Sequence, residues 1–208
     1  MPVSEKREYR AMAVLAPSET KRLDSDYYVE GYATTFDDPY VLYEYDGIKY
    51  TEVIDRNALV GADITDVIMQ YDHSGRVFAR NKMGKNKMPT LIVEADEKGI
   101  FIAADLSQTE ESRKMYDEID KGLIYQMSWA FTVAEEEYVK DMRLRKLTKI
   151  KKVYDVSAVS IPANPSTDIS SRNWLNGVIE AEKQEMLEKR EKAKKKLLLQ
   201  IKLEQEKL

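Results

Sequence analysis

Two residue types decide what chemistry this chain can host. Among its 208 residues there is a single histidine, His73, and no cysteine. Histidine is the side chain whose ordinary pKa, about 6.5, lies nearest neutrality, so one copy offers one evident proton shuttle. A histidine base needs an oxygen nucleophile to deprotonate and usually an acceptor for its second ring nitrogen, the division of labour of serine hydrolases. Ser128 leads the nucleophile candidates. It lies within 123–133, where the odd positions Tyr125, Met127, Trp129, Phe131 and Val133 are large and apolar and the even positions Gln126, Ser128, Ala130 and Thr132 are small or polar. Period two therefore turns Ser128 away from the core, accessible between aromatic anchors, with the small Ala130 leaving room beside the hydroxyl. Ser157 and Ser160, also in a strand-like segment, are rivals, while Ser107, Ser112, Ser166, Ser170 and Ser171 read as loop or cap residues. The alternative for His73 is a turn histidine without chemistry.

What must hold these groups is a β-rich scaffold. From about residue 7 to 161 the chain reads as short β-like segments between turn signals, and from about 167 to 208 as helix. Segment 27–36 is aromatic and β-branched and stops at Asp37-Asp38-Pro39. Segments 40–45 and 48–54 flank Asp46-Gly47, a two-residue loop suited to a hairpin. Further strands are expected at 67–71, 90–95, 99–104, 124–133 and 149–161, with Glu97-Lys98-Gly99 as a turn. In Val67-Ile68-Met69-Gln70-Tyr71-Asp72-His73, continued alternation places Val67, Met69, Tyr71 and His73 on one face and turns Asp72 away from the imidazole. Two interior helices are expected: a short one at 56–60 capped by Asp55, and a second opened by Thr109, with Met115, Ile119 and Leu123 as its apolar stripe and Gly122 near its end.

The net charge of -4, from 33 basic and 37 acidic residues, gives no general reason to expect nucleic-acid binding. Without cysteine there are no disulfides or thiolate zinc sites, and one histidine argues against a histidine-based metal centre, so neither metal nor cofactor is expected. No run approaches the roughly 18 apolar residues that span a bilayer, and Met1-Pro2-Val3-Ser4-Glu5-Lys6 lacks a signal-peptide core, so a cytosolic protein with no membrane partner is expected. The basic run 140–152, with Arg143 and Arg145, reads as an exposed hairpin face or a contact for an acidic scaffold. Beyond the proline-bounded break at 162–167, a charged helix of about 40 residues would reach about 60 Å. Its Leu187, Leu198, Ile201 and Leu208 suggest a heptad that Glu191, Lys194 and Gln205 interrupt. It reads either as a solvated helix or as a docking extension through Leu197-Leu198-Leu199-Gln200-Ile201.

From about residue 28 to 165 the motifs resemble the prohead, or capsid maturation, proteases of tailed bacteriophages, which are related in fold to the herpesvirus assemblins. The resemblance rests on Val29-Glu30-Gly31-Tyr32-Ala33 with Phe36, Tyr71-Asp72-His73, Gly99-Ile100-Phe101, Gln126-Met127-Ser128-Trp129-Ala130-Phe131 and the stretch from Tyr154-Asp155-Val156-Ser157 through Ala163-Asn164-Pro165. Family members usually carry glycine where Ala130 stands and more often glutamate where Asp155 stands. The resemblance implies a serine endopeptidase in which Ser128 attacks, His73 is base and then acid, and Asp155 orients the imidazole. Assemblins use a second histidine as third member, which this chain lacks.

The resulting expectation is a β-rich α+β fold, an assemblin-like β-barrel surrounded by helices, with a catalytic domain at 1–166 and a C-terminal helical extension at 167–208. Its substrates would be the major capsid protein, scaffold segments and itself, inside the immature prohead in the host cytoplasm, with self-association and no requirement for nucleic acid. The rivals are a non-catalytic assembly or scaffold protein acting through the C-terminal helix, and a hydrolase of small esters.

Overall fold

The computed structural model describes residues 7–17, 21–83, 88–160 and 169–205. In chain order the strands are β1 (Glu8–Ala16), β2 (Tyr28–Thr35), β3 (Tyr40–Tyr45), β4 (Ile48–Ile54), β5 (Ile68–Tyr71), β6 (Ser74–Arg80), β7 (Leu91–Ala95) and β8 (Gly99–Asp105). The helix α1 (Glu110–Asp120) follows, then β9 (Gln126–Val139), β10 (Leu144–Val159) and the helix α2 (Ile169–Gln205). The long antiparallel hairpin of β9 and β10 is the axis of one ten-stranded sheet, ordered β3-β4-β10-β9-β1-β2-β8-β7, with β5 on β10 and β6 on β5. One edge of β10 serves two parallel partners in succession: β4 along residues 144–147 and β5 along 155–158. That double use brings the segment before His73 onto the strand that carries Asp155.

The β-rich α+β class is as expected, but the barrel is not. Among the described residues the hydrogen-bonded path runs from β3 to β7 with no pairing that closes it. Register shifts along β10 between residues 147 and 155, and in β1 between Ala11 and Ala13, bend the strands without joining the two ends. Nor does a helix form at 56–60. Asp55 instead accepts the Asn57 N–H at 2.9 Å and its carbonyl accepts the Ala58 N–H, so the segment is a run of turns up to Gly61, too short to repay helix nucleation. The second expected helix is present. Thr109 caps α1 by accepting the Ser112 N–H at 3.0 Å, and Met115 and Ile119 are buried in the core. The helix stops at Asp120, ahead of Gly122 with its left-handed φ of 70°, and Leu123 lies exposed rather than in the apolar stripe.

Met127, Trp129, Phe131 and Val133 of β9 enter the core as their alternation requires, with Trp129 and Phe131 stacked at 4.0 Å between ring centroids, whereas Tyr125, expected to join them, lies ahead of the strand and is exposed. Gly99 opens β8 where a Cβ would lie 2.0 Å from the Thr34 carbonyl oxygen, so only glycine fits. The chain divides into two compact units, Met1–Ser171 and Arg172–Leu208. The expected break at 162–167 lies outside the described residues. Among the described residues no helix is long and apolar enough to cross a membrane, and no cluster of metal-ligating side chains is found.

Candidate active site

Register builds the site. Ser128 on β9 stands opposite Ser157 on β10 and opposite Ala11 on β1, and in the next row Ala130 stands opposite Asp155 and opposite Tyr9. Cross-strand neighbours share a face of the sheet, with Cβ atoms about 4.5–5.5 Å apart. Ser128, Ser157 and Asp155 therefore occupy one small patch, and Tyr9 adjoins it.

His73 reaches this patch from a turn, not from a strand. β5 ends at Tyr71, which pairs with Ser74, so Asp72 and His73 form a two-residue hairpin loop with φ of 47° and 55°. Left-handed φ at both positions suits the twist of a hairpin, and aspartate and histidine are among the side chains that tolerate it. The strand alternation expected to continue through His73 thus breaks at residue 72. Asp72 is still not the partner of the imidazole, for a different reason: its carboxylate accepts the Ser160 N–H at 2.9 Å and the Ser160 hydroxyl at 2.8 Å, while its own N–H donates to the Ala158 carbonyl at 3.0 Å. Asp72 ties the turn to the end of β10.

So anchored, His73 places Nδ1 2.5 Å from Asp155 Oδ1. Donation from Nδ1 to a carboxylate leaves Nε2 of a neutral imidazole as an acceptor. The ring also packs edge-on against Tyr9, with centroids 4.7 Å apart. In this row Ala130 stands between Tyr9 and Asp155.

Ser128 is not accessible as its strand pattern suggested. It is 0% exposed, since one strand's periodicity marks a face only as non-core and not as solvent-facing. Among the described residues Ser128 Oγ and His73 Nε2 are both buried without a hydrogen-bond partner, and no hydrogen bond joins them. Of the rival serines, Ser157 donates its only proton to Asp155 Oδ1 at 2.7 Å, and Ser160 is engaged by Asp72. Ser112 lies in the first turn of α1 with its hydroxyl on the Phe78 carbonyl. Ser166 lies outside the described residues.

The basic run 140–152 is not a uniformly exposed face. Arg143 takes a left-handed turn conformation at the hairpin end, but Arg145 is buried. It meets Glu8, Glu52 and Glu136, and Arg10 joins Glu8 at 2.6 Å and Glu52 at 2.6 Å, with the Tyr40 hydroxyl also on Glu52. Burial works against the Glu8 charge, yet the Arg145 and Arg10 guanidinium groups overcome it and hold the carboxyl down at about 2. Burial likewise opposes the charge of Arg10, and Glu52, Tyr40 and Glu8 together more than offset it, pushing that pKa well above its ordinary value. These ion pairs fasten β1 and β4 to β10, the strand bearing Asp155. Sequence reasoning missed Tyr9, the Asp72 anchor and the Ser157 contact. Only the last had a signal, the period-two spacing of Asp155 and Ser157.

A family model described as caudovirus prohead serine protease matches residues 16–184. No curated protein and no solved structure matches the chain.

Proposed function

The chain belongs to the caudovirus prohead serine proteases, and on that premise we propose that Ser128, His73 and Asp155 are its catalytic unit. As a member it is a serine protease of phage capsid maturation. The observation that carries the residue assignment is the His73 Nδ1 contact with Asp155 Oδ1 at 2.5 Å, which pairs the imidazole with the acid and, among the described residues, leaves its Nε2 without a hydrogen-bond partner. In the proposed reaction Ser128 Oγ attacks the scissile carbonyl carbon as His73 Nε2 takes its proton. Asp155 stabilises the imidazolium, which then protonates the departing amine, and a water activated by the same nitrogen releases the acyl group.

The finer reading extends to substrates and partners: scaffold segments, the major capsid protein and the chain itself, on a fold related to the assemblins, with self-association. The helix α2, 37 residues and about 55 Å long, is proposed as a docking extension beyond the catalytic domain, its exposed Leu197, Leu198 and Leu199 being the contact. Co-expression with the capsid protein encoded beside it tests the function. Sequence-specific shortening by the wild type, abolished by Ser128→Ala, supports the protease reading, and unprocessed co-assembly would favour a scaffold. Ser128→Ala is expected to fold normally, since it removes a buried hydroxyl that has no partner. Cleavage retained in that folded variant refutes Ser128 as nucleophile.

A further inference from the structure

Asp155-Val156-Ser157 sets two polar side chains at period-two spacing on one face of β10. Ser157 is fully buried, and its hydroxyl donates at 2.7 Å to Asp155 Oδ1, the same oxygen that His73 Nδ1 meets. A serine hydroxyl carries one proton, so Ser157 is committed as a donor to the acid even though it stands directly opposite Ser128. Asp155 would otherwise be free to rotate its carboxylate about a bond with a broad torsional preference. Aspartate is also one methylene shorter than glutamate, so the direction in which its oxygen points decides whether it meets the imidazole.

We propose that Ser157 is a positioning residue that holds the Asp155 carboxylate toward His73 and takes up part of its charge. This rests on the reading of Ser128, His73 and Asp155 as the catalytic unit. The charge-sharing has a direction. A donor on the carboxylate stabilises its charge and weakens its pull on the imidazolium, so removing the donor makes the imidazole hold a proton to higher pH. The titratable groups set against the ring are Asp155 from β10 and Tyr9 from β1, and the neighbouring Asp72 carboxylate is turned to Ser160.

The test uses the full chain and a fluorophosphonate probe that labels an activated serine, with the labelled residue mapped by mass spectrometry and the labelling rate followed from pH 5 to 9. Ser157→Ala is expected to label still at Ser128, about 10- to 100-fold more slowly, with the acid limb of the profile displaced: to higher pH where the carboxylate stays on Nδ1 with its full charge, to lower pH where it swings away from the ring. Ser157→Thr keeps the hydroxyl and should restore both rate and limb. A Ser157→Ala protein that labels at the wild-type rate with an unmoved limb overturns the proposal. So does a slowing shared equally by the alanine and threonine variants with no movement of the limb, which would mean packing alone. Label found on Ser157 in the wild type would make it the nucleophile and overturn the proposal outright. Labelling that survives in Ser128→Ala, or is absent from the wild type, would instead sink the catalytic reading beneath it.

Discussion

Glu8→Gln offers a test in which one substitution yields a curve rather than a single value. Glu8 is completely buried and bonded to both Arg10 and Arg145, and its carboxyl is held at about 2 against an ordinary 4.5. A carboxyl depressed by that amount contributes about 3 kcal/mol at neutral pH. Because the folded value is the lower one, the contribution is complete above the unfolded value near 4.5 and is lost as pH falls through 4.5 toward 2. Glutamine keeps the shape and one acceptor but carries no charge, so it should be about 3 kcal/mol less stable than the wild type at pH 7, with the gap narrowed to about 1.4 kcal/mol at pH 3 and nearly closed at pH 2. Urea denaturation of both proteins at pH 7, 5, 4 and 3 reads the gap directly. A gap that stays constant from pH 7 to 3 would show that geometry rather than charge at Glu8 secures β1, and the electrostatic argument would fail.

The catalytic assignment makes its own demands. His73→Ala should be as damaging as loss of Ser128, since members of one catalytic unit act non-additively, whereas Asp155→Asn should lower cleavage by up to about 10⁴-fold yet leave a residue of activity. Wild-type cleavage should fall on acidification as the imidazole is protonated, and a profile flat from pH 5 to 8 would exclude His73 as the base. Asp72→Ala loses both hydrogen bonds from Ser160 and places alanine at a φ of 47°, so it should cost about 2 kcal/mol and slow labelling of Ser128, while Asp72→Asn should fall between; equal stability of all three would deny the anchor.

Much of this molecule was written locally. The alternation through β9 announced a strand with Met127, Trp129, Phe131 and Val133 toward the core, Asp46-Gly47 announced a hairpin, and Thr109 announced the start of α1, because each signal depends on neighbours a few residues apart. The turn at Asp72-His73 escaped the same reading, since no glycine marks it and the alternation before it gives no sign of stopping. What covers a face is not a local property. Ser128 is buried although its own strand's alternation turns it from the core, and Arg145 is buried because Glu8 and Glu52, 137 and 93 residues away, supply the charges that make burial tolerable. The single histidine and the absence of cysteine left the sequence few chemistries to choose from. Only the pairing of β5 and β9 with β10 decided that His73 would meet Asp155, that Ser157 would hold that same oxygen, and that Ser128 would lie beside them, because a cross-strand register is fixed by the packing of the whole sheet and not by any one of its strands.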